Sequence, residues 1–499
     1  MADQEGNEPA VAQHGMFVDG VWHSDVERDW IDVENPATER VIAKVQAGVA
    51  DDAHAALVAA RRAQPGWAAL PAIERGRLVS KIADAVAANA EDLARTVVEE
   101  QGKPIGQARG EIGAAETFLR YAAENARRIE GDILPSDHPG EEIWIRRVPH
   151  GVVVGLTAWN YPAALAARKL GPALVAGNTF VLLSHEATPL SGLALARLAE
   201  AVELPKGVFN VVTGRGPVVG RALVESPLSD LITLTGSTRA GREVYGTGAE
   251  RLKVLRLELG GKAPFIVMDD ADLEVAVDAA IGARFANCGQ VCTCSERLYL
   301  HRDVADRFME AFLARVNALR IGDPLGDPDL GPKVNADELD KIEEIVAASI
   351  DAGAEVLVRG GRLRDGAFAK GHWYAPTVLA VRDNRLPVMQ REVFGPVVPV
   401  MTFADFDDAL ALANDTPFGL SAYLFTTDMD RVMRVHRELR FGEVYVNRGI
   451  GEQVQGFHTG WGLSGLGGED GRYGFDSYLR KQTAYVNWAS RSRPDRARQ

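Results

Sequence analysis

A thiol and a carboxylate stand out among the residues that could do chemistry. Cys292 lies in a loop of small and polar residues, 285–294, and a reactive thiol needs access and a route to the thiolate. Glu258 lies between two leucines and ahead of Gly260 and Gly261. Such surroundings could desolvate a carboxylate and make it a better base near neutral pH. Each residue also has an ordinary interpretation, because a lone cysteine is often a buried small hydrophobe and a strand-end glutamate often faces solvent.

The cysteines are few and clustered. Cys288, Cys292 and Cys294 are the three cysteines of the 499-residue chain. A disulfide scaffold would spread its cysteines along the chain, so the pattern predicts a cytoplasmic protein with one cysteine-bearing loop. Zinc is the alternative, but no other cysteine or histidine lies close enough in sequence to complete four ligands, and we predict no metal.

Two glycine-bearing segments follow predicted strands, at 214–220 and at 235–241, where Gly236 and Ser237 lie. Glycines after a strand let backbone N–H groups approach a pyrophosphate at the start of a helix. Neither segment has the G-x-G-x-x-G spacing of dinucleotide-binding turns. Tight strand-to-helix turns also require glycines, so the interpretation of each segment stays open.

The elements that must position these residues follow from the hydrophobic pattern. Amphipathic spacing predicts helices over 51–63 and 73–100. Beyond Pro149, short apolar runs alternate with helical stretches, which predicts a parallel sheet covered on both faces. The predicted strands are 152–156, 180–183, 208–212, 231–235 and 265–268. A second α/β section is predicted from 304 to about 447, with helices at 308–319, 341–352, 407–414 and 431–439 and a strand at 355–358.

Charge and the chain ends exclude several classes of function. The formal charge of −14 at pH 7 argues against a phosphate-neutralising patch, so we expect no nucleic acid partner. Residues 1–15 lack the basic start and apolar run of a secretory signal. No stretch approaches the roughly 20 apolar residues of a membrane span, so we expect no membrane partner. The arginine-rich tail at 491–498 is interpreted as solvated.

These signals occur in an order that resembles the aldehyde dehydrogenase superfamily, from about residue 17 to about residue 486. The resemblance implies an α/β fold with a Rossmann-like NAD-binding domain, a second α/β catalytic domain and a small β oligomerisation arm. The motifs that carry it are Trp-Asn-Tyr-Pro at 159–162, Thr-Pro-Leu at 188–190, Thr-Gly-Ser at 235–237, Glu-Leu-Gly-Gly-Lys at 258–262, Gly-Gln-Val-Cys at 289–292 and Glu-Val-Phe-Gly-Pro at 392–396.

Within that superfamily the chain looks most like bacterial lactaldehyde/glycolaldehyde dehydrogenases. The segments that carry this likeness are 32–39, 70–75, 290–294, 455–461 and 464–471. One departure concerns the cofactor: where the family has a lysine that holds the adenine ribose, this chain has Leu183, followed by Ser184 and His185.

The resemblance implies a mechanism that agrees with the chemistry of the residues. Cys292 would attack the aldehyde to give a thiohemiacetal, whose oxyanion would lie against the Asn160 amide and the Cys292 backbone N–H. Glu258 would activate the water that hydrolyses the thioester. Lys169 matches a family lysine near the oxyanion asparagine and is expected to support it.

The resemblance also implies a nicotinamide cofactor. Ser237 is expected at the pyrophosphate, Glu392 at the nicotinamide ribose and Phe394 against the ring. A carboxylate at the adenosine ribose, Glu186, would repel a 2′-phosphate, so we predict NAD rather than NADP. The full set of predicted cofactor-binding residues is Trp159, Glu186, Gly236, Ser237, Glu392 and Phe394.

The predicted substrate is a small 2-hydroxyaldehyde, lactaldehyde or glycolaldehyde, contacted by Arg168 and His458. Both are polar residues where many relatives have aromatic ones. A semialdehyde dehydrogenase of the succinate-semialdehyde type is an alternative, with Arg168 or Arg215 binding the carboxylate. Arg168 could instead form a structural ion pair. A member of the family that binds nucleotide without catalysis is an alternative of a different class.

Domain boundaries and assembly also follow from the resemblance. The NAD-binding domain is expected at 14–138 and 150–259, and the catalytic domain at 260–459. Segments 139–149 and 476–490 are expected to form an oligomerisation arm. A homodimer or homotetramer is therefore predicted.

Overall fold

The computed structural model describes residues 11–488, so the ends at 1–10 and 489–499, with the arginine-rich tail, lie outside the described residues. The helices are α1 (Ala50–Ala69), α2 (Ala72–Ala88), α3 (Ala90–Gln101), α4 (Ile105–Glu124), α5 (Pro162–Ala176), α6 (Leu190–Ala201), α7 (Arg221–Glu225), α8 (Thr238–Ala249), α9 (Leu273–Phe285), α10 (Arg302–Asn317), α11 (Ala336–Asp351), α12 (Pro387–Gln390), α13 (Phe406–Asn414), α14 (Met429–Glu438) and α15 (Gly471–Asp476).

The strands are β1 (Ala12–His14), β2 (Met16–Val18), β3 (Val21–His23), β4 (Trp30–Asn35), β5 (Arg40–Gln46), β6 (Asp132–Pro135), β7 (Glu141–Pro149), β8 (Val152–Leu156), β9 (Thr179–Leu183), β10 (Phe209–Val212), β11 (Leu231–Thr235), β12 (Val254–Glu258), β13 (Ala263–Val267), β14 (Ser295–His301), β15 (Glu355–Val358), β16 (Gly361–Arg362), β17 (Tyr374–Ala375), β18 (Thr377–Ala380), β19 (Val397–Phe403), β20 (Phe418–Gly419), β21 (Ser421–Phe425), β22 (Glu443–Val446), β23 (Trp461–Gly462), β24 (Gly465–Leu466) and β25 (Leu479–Asn487).

The first large sheet has the order β24-β12-β11-β8-β9-β10-β2-β3. Its five central strands, from β12 to β10, are parallel. After β8 the chain adds β9 and β10 on one side of it, and then β11 and β12 on the other. The order therefore reverses between β8 and β11. In open parallel sheets ligands bind outside the carboxyl ends of the strands at such a reversal. Asn160 follows β8, and Gly236 and Ser237 follow β11, so these predicted site residues come after the two strands that border this crevice.

The second large sheet has the order β15-β18-β19-β14-β13-β21-β22, and all neighbouring pairs from β18 to β22 are parallel. The central strands β13, β14 and β21 are buried along their whole lengths, as expected where helices cover both faces of a sheet. Two buried hydrophobic clusters flank this sheet and two others flank the first. The prediction of a mixed α/β fold with two parallel-sheet units is confirmed.

A third sheet, with the order β25-β7-β6, stands apart from the two large ones. Strands β7 and β25 pair antiparallel along their whole lengths, from the pair Glu141–Asn487 to the pair Pro149–Leu479. Strands β7 and β25 lie within the two segments predicted as an oligomerisation arm, and residues 489–490 of the second segment lie outside the described residues. Within residues 11–488 no helix combines the length and the apolar character needed to cross a bilayer.

The predicted helix over 73–100 is wrong in one respect: the chain forms α2 and α3 with a break at Asn89 (φ −112°, ψ 21°). The Asn89 side chain donates to the Ala85 carbonyl at 2.8 Å. Asparagine offers the backbone an alternative to helical hydrogen bonds, and here it ends one helix and begins the next.

Candidate active site

The chain crosses from the first sheet to the second between β12 and β13. Glu258 is the last residue of β12, and its side chain is buried. A Cβ at Gly260 would lie 2.4 Å from Glu392 Oε2, and one at Gly261 would lie 2.4 Å from the Cys292 carbonyl oxygen. A side chain at Gly261 would collide with backbone, and one at Gly260 would displace the Glu392 carboxylate, which explains the Gly-Gly pair. The crossing thus brings the predicted base, the predicted nucleophile and Glu392 together.

The cysteine loop distinguishes its three thiols. Cys288 and Cys294 are buried and Cys292 is partly exposed. Burial raises the pKa of Cys288 to about 11 and that of Cys294 to about 12. Asn287 and Cys288 both adopt left-handed backbone conformations, with φ of 48° and 57°. This strained turn places Cys292 beyond the end of α9, facing the crevice.

Asn160 lies next to this loop. It is buried at the start of α5, and its side-chain Nδ2 donates to the Gln290 carbonyl at 3.0 Å. An amide nitrogen has two protons, so one remains for a substrate oxygen near Cys292. The chain forms α5 here because Pro162 supplies a preset φ at the first turn and Gly177 ends the helix in the left-handed conformation (φ 98°).

His458 connects the nucleophile and the base. Its Nε2 lies 3.0 Å from Glu258 Oε2, and its ring makes a side-chain hydrogen bond with Cys292. On the other side, Nδ1 lies 3.1 Å from Glu443 Oε1 and 3.8 Å from Glu452 Oε1. One buried imidazole therefore contacts the thiol and faces three carboxylates.

This environment sets the charge of the imidazole. Burial opposes protonation, but Glu258 and Glu443 and the hydrogen bond to Cys292 outweigh it and hold the pKa of His458 well above its usual value. Burial raises the pKa of the Cys292 thiol, and the hydrogen bond from His458 acts in the opposite direction. A cationic His458 is thus the group that favours the Cys292 thiolate.

The predicted nicotinamide-side residues also converge. The rings of Trp159 and Phe394 meet edge to face with centroids 5.4 Å apart. Phe394 has a left-handed φ of 56°. Its N–H donates to Glu296 Oε1 at 2.8 Å, and its carbonyl accepts from the Lys333 ammonium. Glu392 accepts from the Gly261 N–H at 2.8 Å, and burial raises the pKa of Glu392 to about 7.

Three hydroxyl groups at neighbouring strand ends bear on whether the site fits a dinucleotide. Thr157 follows β8, Ser184 follows β9 and Thr235 ends β11. Their oxygens are buried without a hydrogen-bond partner among the described residues. Unpaired buried hydroxyls are costly, and a polar ligand in the crevice would satisfy them. Beside them, the N-cap residue Ser237 begins α8, and its hydroxyl accepts from the Ala240 N–H at 3.2 Å. The site therefore fits a nucleotide with a pyrophosphate.

The departure at Leu183 has a structural explanation. Leu183 is buried in the hydrophobic cluster of β8 and β11, and a Cβ at Gly220 would lie 3.3 Å from its Cδ2. A leucine here fills the core rather than contacting ribose. Glu186 is the third residue beyond the end of β9 and is partly exposed, so it remains accessible to a ribose.

Two predicted residues have partners that the sequence did not reveal. The Arg168 guanidinium is buried, and its Nε and Nη2 both donate to Asp470. This is the structural ion pair that the sequence left open, so a contact between Arg168 and substrate would have to form beside it. Lys169 Nζ donates to Glu469 Oε1 at 2.7 Å, not to the Asn160 loop. The expected support of the oxyanion asparagine by Lys169 therefore lacks a contact in the structure.

Lys169 acts on a different part of the site. Glu469 also accepts from Thr233 Oγ1 at 2.9 Å, and its backbone exchanges two hydrogen bonds with His458, at 3.0 and 2.7 Å. By holding Glu469, Lys169 fixes the backbone of His458.

Sequence reasoning missed several buried charged residues behind the site. Lys262 Nζ donates to Glu296 Oε2 at 2.6 Å. Burial opposes ionisation of Glu296, but Lys262 and Arg284 hold its pKa at about 2. Burial lowers the pKa of Lys333 to about 8. Lys262 could have been found from its place in the Glu-Leu-Gly-Gly-Lys motif, whereas nothing in the local sequence marks Glu296 or Lys333.

Comparison with known proteins agrees with this geometry. The profile described as "Aldehyde dehydrogenase family" matches residues 22–484. The chain belongs to the aldehyde dehydrogenase family. This aldehyde dehydrogenase is 48% identical over 479 residues to 3,6-anhydro-alpha-L-galactose dehydrogenase of Vibrio sp. (strain EJY3), covering 95% of this chain and 99% of that protein. It is 43% identical over 479 residues to lactaldehyde dehydrogenase of Escherichia coli (strain K12), covering 95% and 98%.

Solved structures show the same fold. A 3,6-anhydro-L-galactose dehydrogenase in complex with NAP matches with a TM-score of 0.93 and 47% identity, covering 95% of this chain and 100% of that chain. Betaine aldehyde dehydrogenase from Staphylococcus aureus in complex with NAD+ matches with a TM-score of 0.93 and 33% identity, covering 95% and 94%. This aldehyde dehydrogenase is thus an aldehyde-oxidising enzyme that depends on a pyridine nucleotide.

The contact between His458 and Cys292 predicts a pH effect. Iodoacetamide should alkylate this aldehyde dehydrogenase at Cys292, at a rate that rises as pH passes through the pKa of the thiol. His458→Phe keeps an aromatic ring but removes the hydrogen bond that lowers this pKa. The rate profile should therefore move to higher pH by about 1–2 units, the equivalent of a charge-assisted hydrogen bond of ~1.5–3 kcal/mol.

Mass spectrometry of the labelled peptides gives both the site and the rate, and Cys292→Ala is the unreactive control. If the alkylation rate of His458→Phe has the same pH dependence as that of the wild type, the role given to His458 is contradicted. Alkylation of Cys288 or Cys294 at a rate comparable to Cys292 would contradict the assignment of the accessible thiol.

Proposed function

We propose that the protein oxidises a small hydroxylated aldehyde, lactaldehyde or glycolaldehyde, to its carboxylic acid with NAD, using Cys292 as nucleophile and Glu258 as general base. The observation that carries the proposal is that one imidazole, His458, contacts both the thiol and the carboxylate. Nucleophile and base therefore face the same small volume, as a reaction with an acylation and a hydrolysis step requires.

The residues divide the reaction between them. The Cys292 thiolate attacks the aldehyde carbon, a C–S bond forms and the carbonyl electron pair moves to oxygen. The remaining Asn160 Nδ2 proton and the Cys292 backbone N–H donate to that oxyanion. Trp159 and Phe394 would hold a nicotinamide, which would supply the hydride acceptor as the oxyanion collapses to the Cys292 thioester. Glu258 then takes a proton from water as the water oxygen attacks the thioester, and the C–S bond breaks to release the acid and the thiolate.

Glu258→Gln should separate the two halves of this reaction. The variant keeps the shape of the side chain but cannot take the proton, so it should release one NADH per active site in a burst and then turn over slowly. Loss of a general base typically costs ~10²–10⁴-fold in rate. Stopped-flow absorbance of NADH measures both phases, and Cys292→Ala, which should give no burst, is the control. Unchanged steady-state turnover would show that another group activates the water.

The cofactor proposed is NAD. Glu186 lies at the turn after β9 with its carboxylate accessible, where it can accept hydrogen bonds from ribose hydroxyls and would repel a 2′-phosphate. Leu183 supports the same choice, because it provides no cation for such a phosphate.

The charges near Cys292 favour a hydroxylated substrate over one that bears a carboxylate. Glu258, Glu443 and Glu452 all face His458, and Arg168 is already paired with Asp470. A semialdehyde carboxylate would meet an excess of negative charge there, whereas a hydroxyl can donate to carboxylates and accept from the imidazolium. 3,6-Anhydro-L-galactose is the second candidate, favoured by the relative that is 48% identical.

A panel of aldehydes tests substrate and cofactor together. The value of kcat/KM for lactaldehyde, glycolaldehyde or 3,6-anhydro-L-galactose should exceed that for propionaldehyde by roughly tenfold or more, since a polar site left unpaired costs ~1–3 kcal/mol. The value of kcat/KM with NAD should exceed that with NADP, and Glu186→Ser should reduce the ratio of the two values. His458→Phe should shrink the ratio of lactaldehyde to propionaldehyde. Any effect of His458→Phe on the reactivity of Cys292 applies to both substrates, so it cancels in the ratio of their kcat/KM values.

The result also discriminates among the alternatives. A preference for propionaldehyde would refute the hydroxyaldehyde assignment while leaving aldehyde oxidation intact. A preference for succinic semialdehyde would favour the semialdehyde alternative. A protein that binds NAD but oxidises no aldehyde would be a catalytically inactive member.

We also propose that the protein forms a homodimer or homotetramer through the β6–β7–β25 sheet. Ile133, Trp144, Tyr485 and Trp488 expose large apolar side chains on or beside it, with Ile133 68% and Tyr485 69% exposed. Ile133 and Trp144 are cross-strand partners on one face of the sheet, and Tyr485, the partner of Ile143, lies on the other. Large apolar side chains exposed in this way mark protein interfaces.

Trp144→Glu should therefore lower the oligomeric state measured by sedimentation velocity. Met429→Glu, which places the same charge at an exposed apolar residue of α14 away from this sheet, should leave it unchanged. A wild-type protein that sediments as a monomer would contradict the proposal.

A further inference from the structure

A fully buried ion pair lies directly beneath the Asn160 backbone. Lys103, between α3 and α4, donates through Nζ to Glu111 Oε2 at 2.5 Å and to the Asn160 carbonyl oxygen at 2.7 Å. Both side chains have no exposed surface. The Lys103 ammonium also lies 3.5 Å from the centroid of the Tyr161 ring. One cation therefore holds both residues at the turn that leads into α5.

Glu111 holds the other side of the same turn. Its Oε1 accepts from the Ala163 N–H at 2.8 Å and from the Ala164 N–H at 3.2 Å. These are free donors of the first turn of α5, whose N-cap residue Tyr161 makes no side-chain cap. A glutamate from α4 thus caps α5, and its negative charge suits the positive end of the helix dipole.

The Asn160 peptide group is consequently fixed on several sides. Its carbonyl accepts from Lys103 and also from Asn287 Nδ2 at 3.1 Å, and the next residues are held by Glu111. The direction of the Asn160 side chain depends on this peptide, because rotation of the peptide would move Nδ2 away from Gln290 and Cys292. Oxyanion stabilisation requires donors fixed within a few tenths of an ångström.

We propose that Lys103 and Glu111 are positioning residues for the Asn160 amide, and that they act on oxyanion stabilisation without touching the substrate. The inference rests on the proposed role of Asn160. Removing one partner of a buried pair also destabilises the fold, so the test must separate loss of positioning from loss of stability.

The chain offers a matched control in Glu100. It is a fully buried glutamate that accepts from two backbone N–H groups, Leu190 at 2.6 Å and Ser191 at 3.0 Å, at the start of α6. Glu111→Gln and Glu100→Gln therefore make the same substitution at a buried helix cap, but only Glu111 is paired with a lysine and lies beside Asn160. Burial raises the pKa of Glu100 to about 8, so Glu100→Gln is the control for the loss of a cap and not for the loss of an ion pair. Lys103→Met is the partner variant, and thermal unfolding of all three measures stability.

Two reactions of Cys292 separate the possible effects. Aldehyde oxidation forms an oxyanion, whereas alkylation by iodoacetamide needs the thiolate but no oxyanion hole. Lys103→Met and Glu111→Gln should lower kcat by about 10- to 100-fold, less than the ~10²–10³-fold loss of a whole oxyanion donor. The KM for NAD and the alkylation rate should each change by less than about twofold, since neither depends on an oxyanion donor. Glu100→Gln should keep kcat within about twofold of wild type, since it lies outside the oxyanion site.

A double-mutant cycle completes the test. In an Asn160→Ala background, Glu111→Gln should cause no further loss of kcat, because the group that it positions is gone. If Glu111→Gln lowers kcat by the same factor in the wild-type and Asn160→Ala backgrounds, the proposal is overturned. Equal losses of kcat in Glu111→Gln and Glu100→Gln would also overturn it. Unchanged kcat in Glu111→Gln would overturn it too. If the wild-type protein oxidises no aldehyde, the proposed function itself fails, and that result is seen before any variant is compared.

Discussion

The active site depends on one steric constraint, the crossing of the chain from the first sheet to the second at residues 258–263. Two glycines without side chains let two other segments approach within contact distance. Glu392 lies against Gly260, the Cys292 carbonyl lies against Gly261, and Glu258 ends the strand just before them. The proposed base, the proposed nucleophile and Glu392 are therefore neighbours because the backbone leaves room for them. A methyl group at Gly261 would collide with the Cys292 backbone and force these segments apart, whereas one at Gly260 would displace the Glu392 carboxylate.

Buried ion pairs hold the backbone around this crossing. Lys262 and Glu296 fix the Phe394 loop, Lys103 and Glu111 fix the Asn160 turn, and Lys169 with Glu469 fixes the backbone of His458. Burial of charge is costly, so such pairs add little to stability compared with apolar packing. What they supply is a unique geometry, because each carboxylate also accepts backbone N–H groups or has its own backbone paired with the site. Catalysis needs this fixed geometry more than it needs stability.

The electrostatic character of the site comes from His458. An apolar ring in its place would leave Glu258, Glu443 and Glu452 without a shared cation. The imidazolium offsets part of their negative charge and hydrogen-bonds the thiol. The same group thus serves the nucleophile, the base and the polarity of the substrate pocket. For this reason the effect of His458→Phe on substrate choice has to be measured as a ratio between substrates.

The sequence by itself determined the α/β fold, several strands to within one or two residues and the identity of the motif residues at 258–262 and 289–292. These signals are local, because each can be recognised from a few neighbouring residues. They are apolar runs, strand-end glycines and a cysteine among small residues. Tertiary structure alone decided that Arg168 pairs with Asp470, that Lys169 pairs with Glu469 and that Lys103 supports Asn160. The first two partners lie about 300 residues away. The interaction between two charges depends on their distance in space and not on their separation in sequence. Only the folded backbone therefore decides which oppositely charged side chain a buried charged residue pairs with.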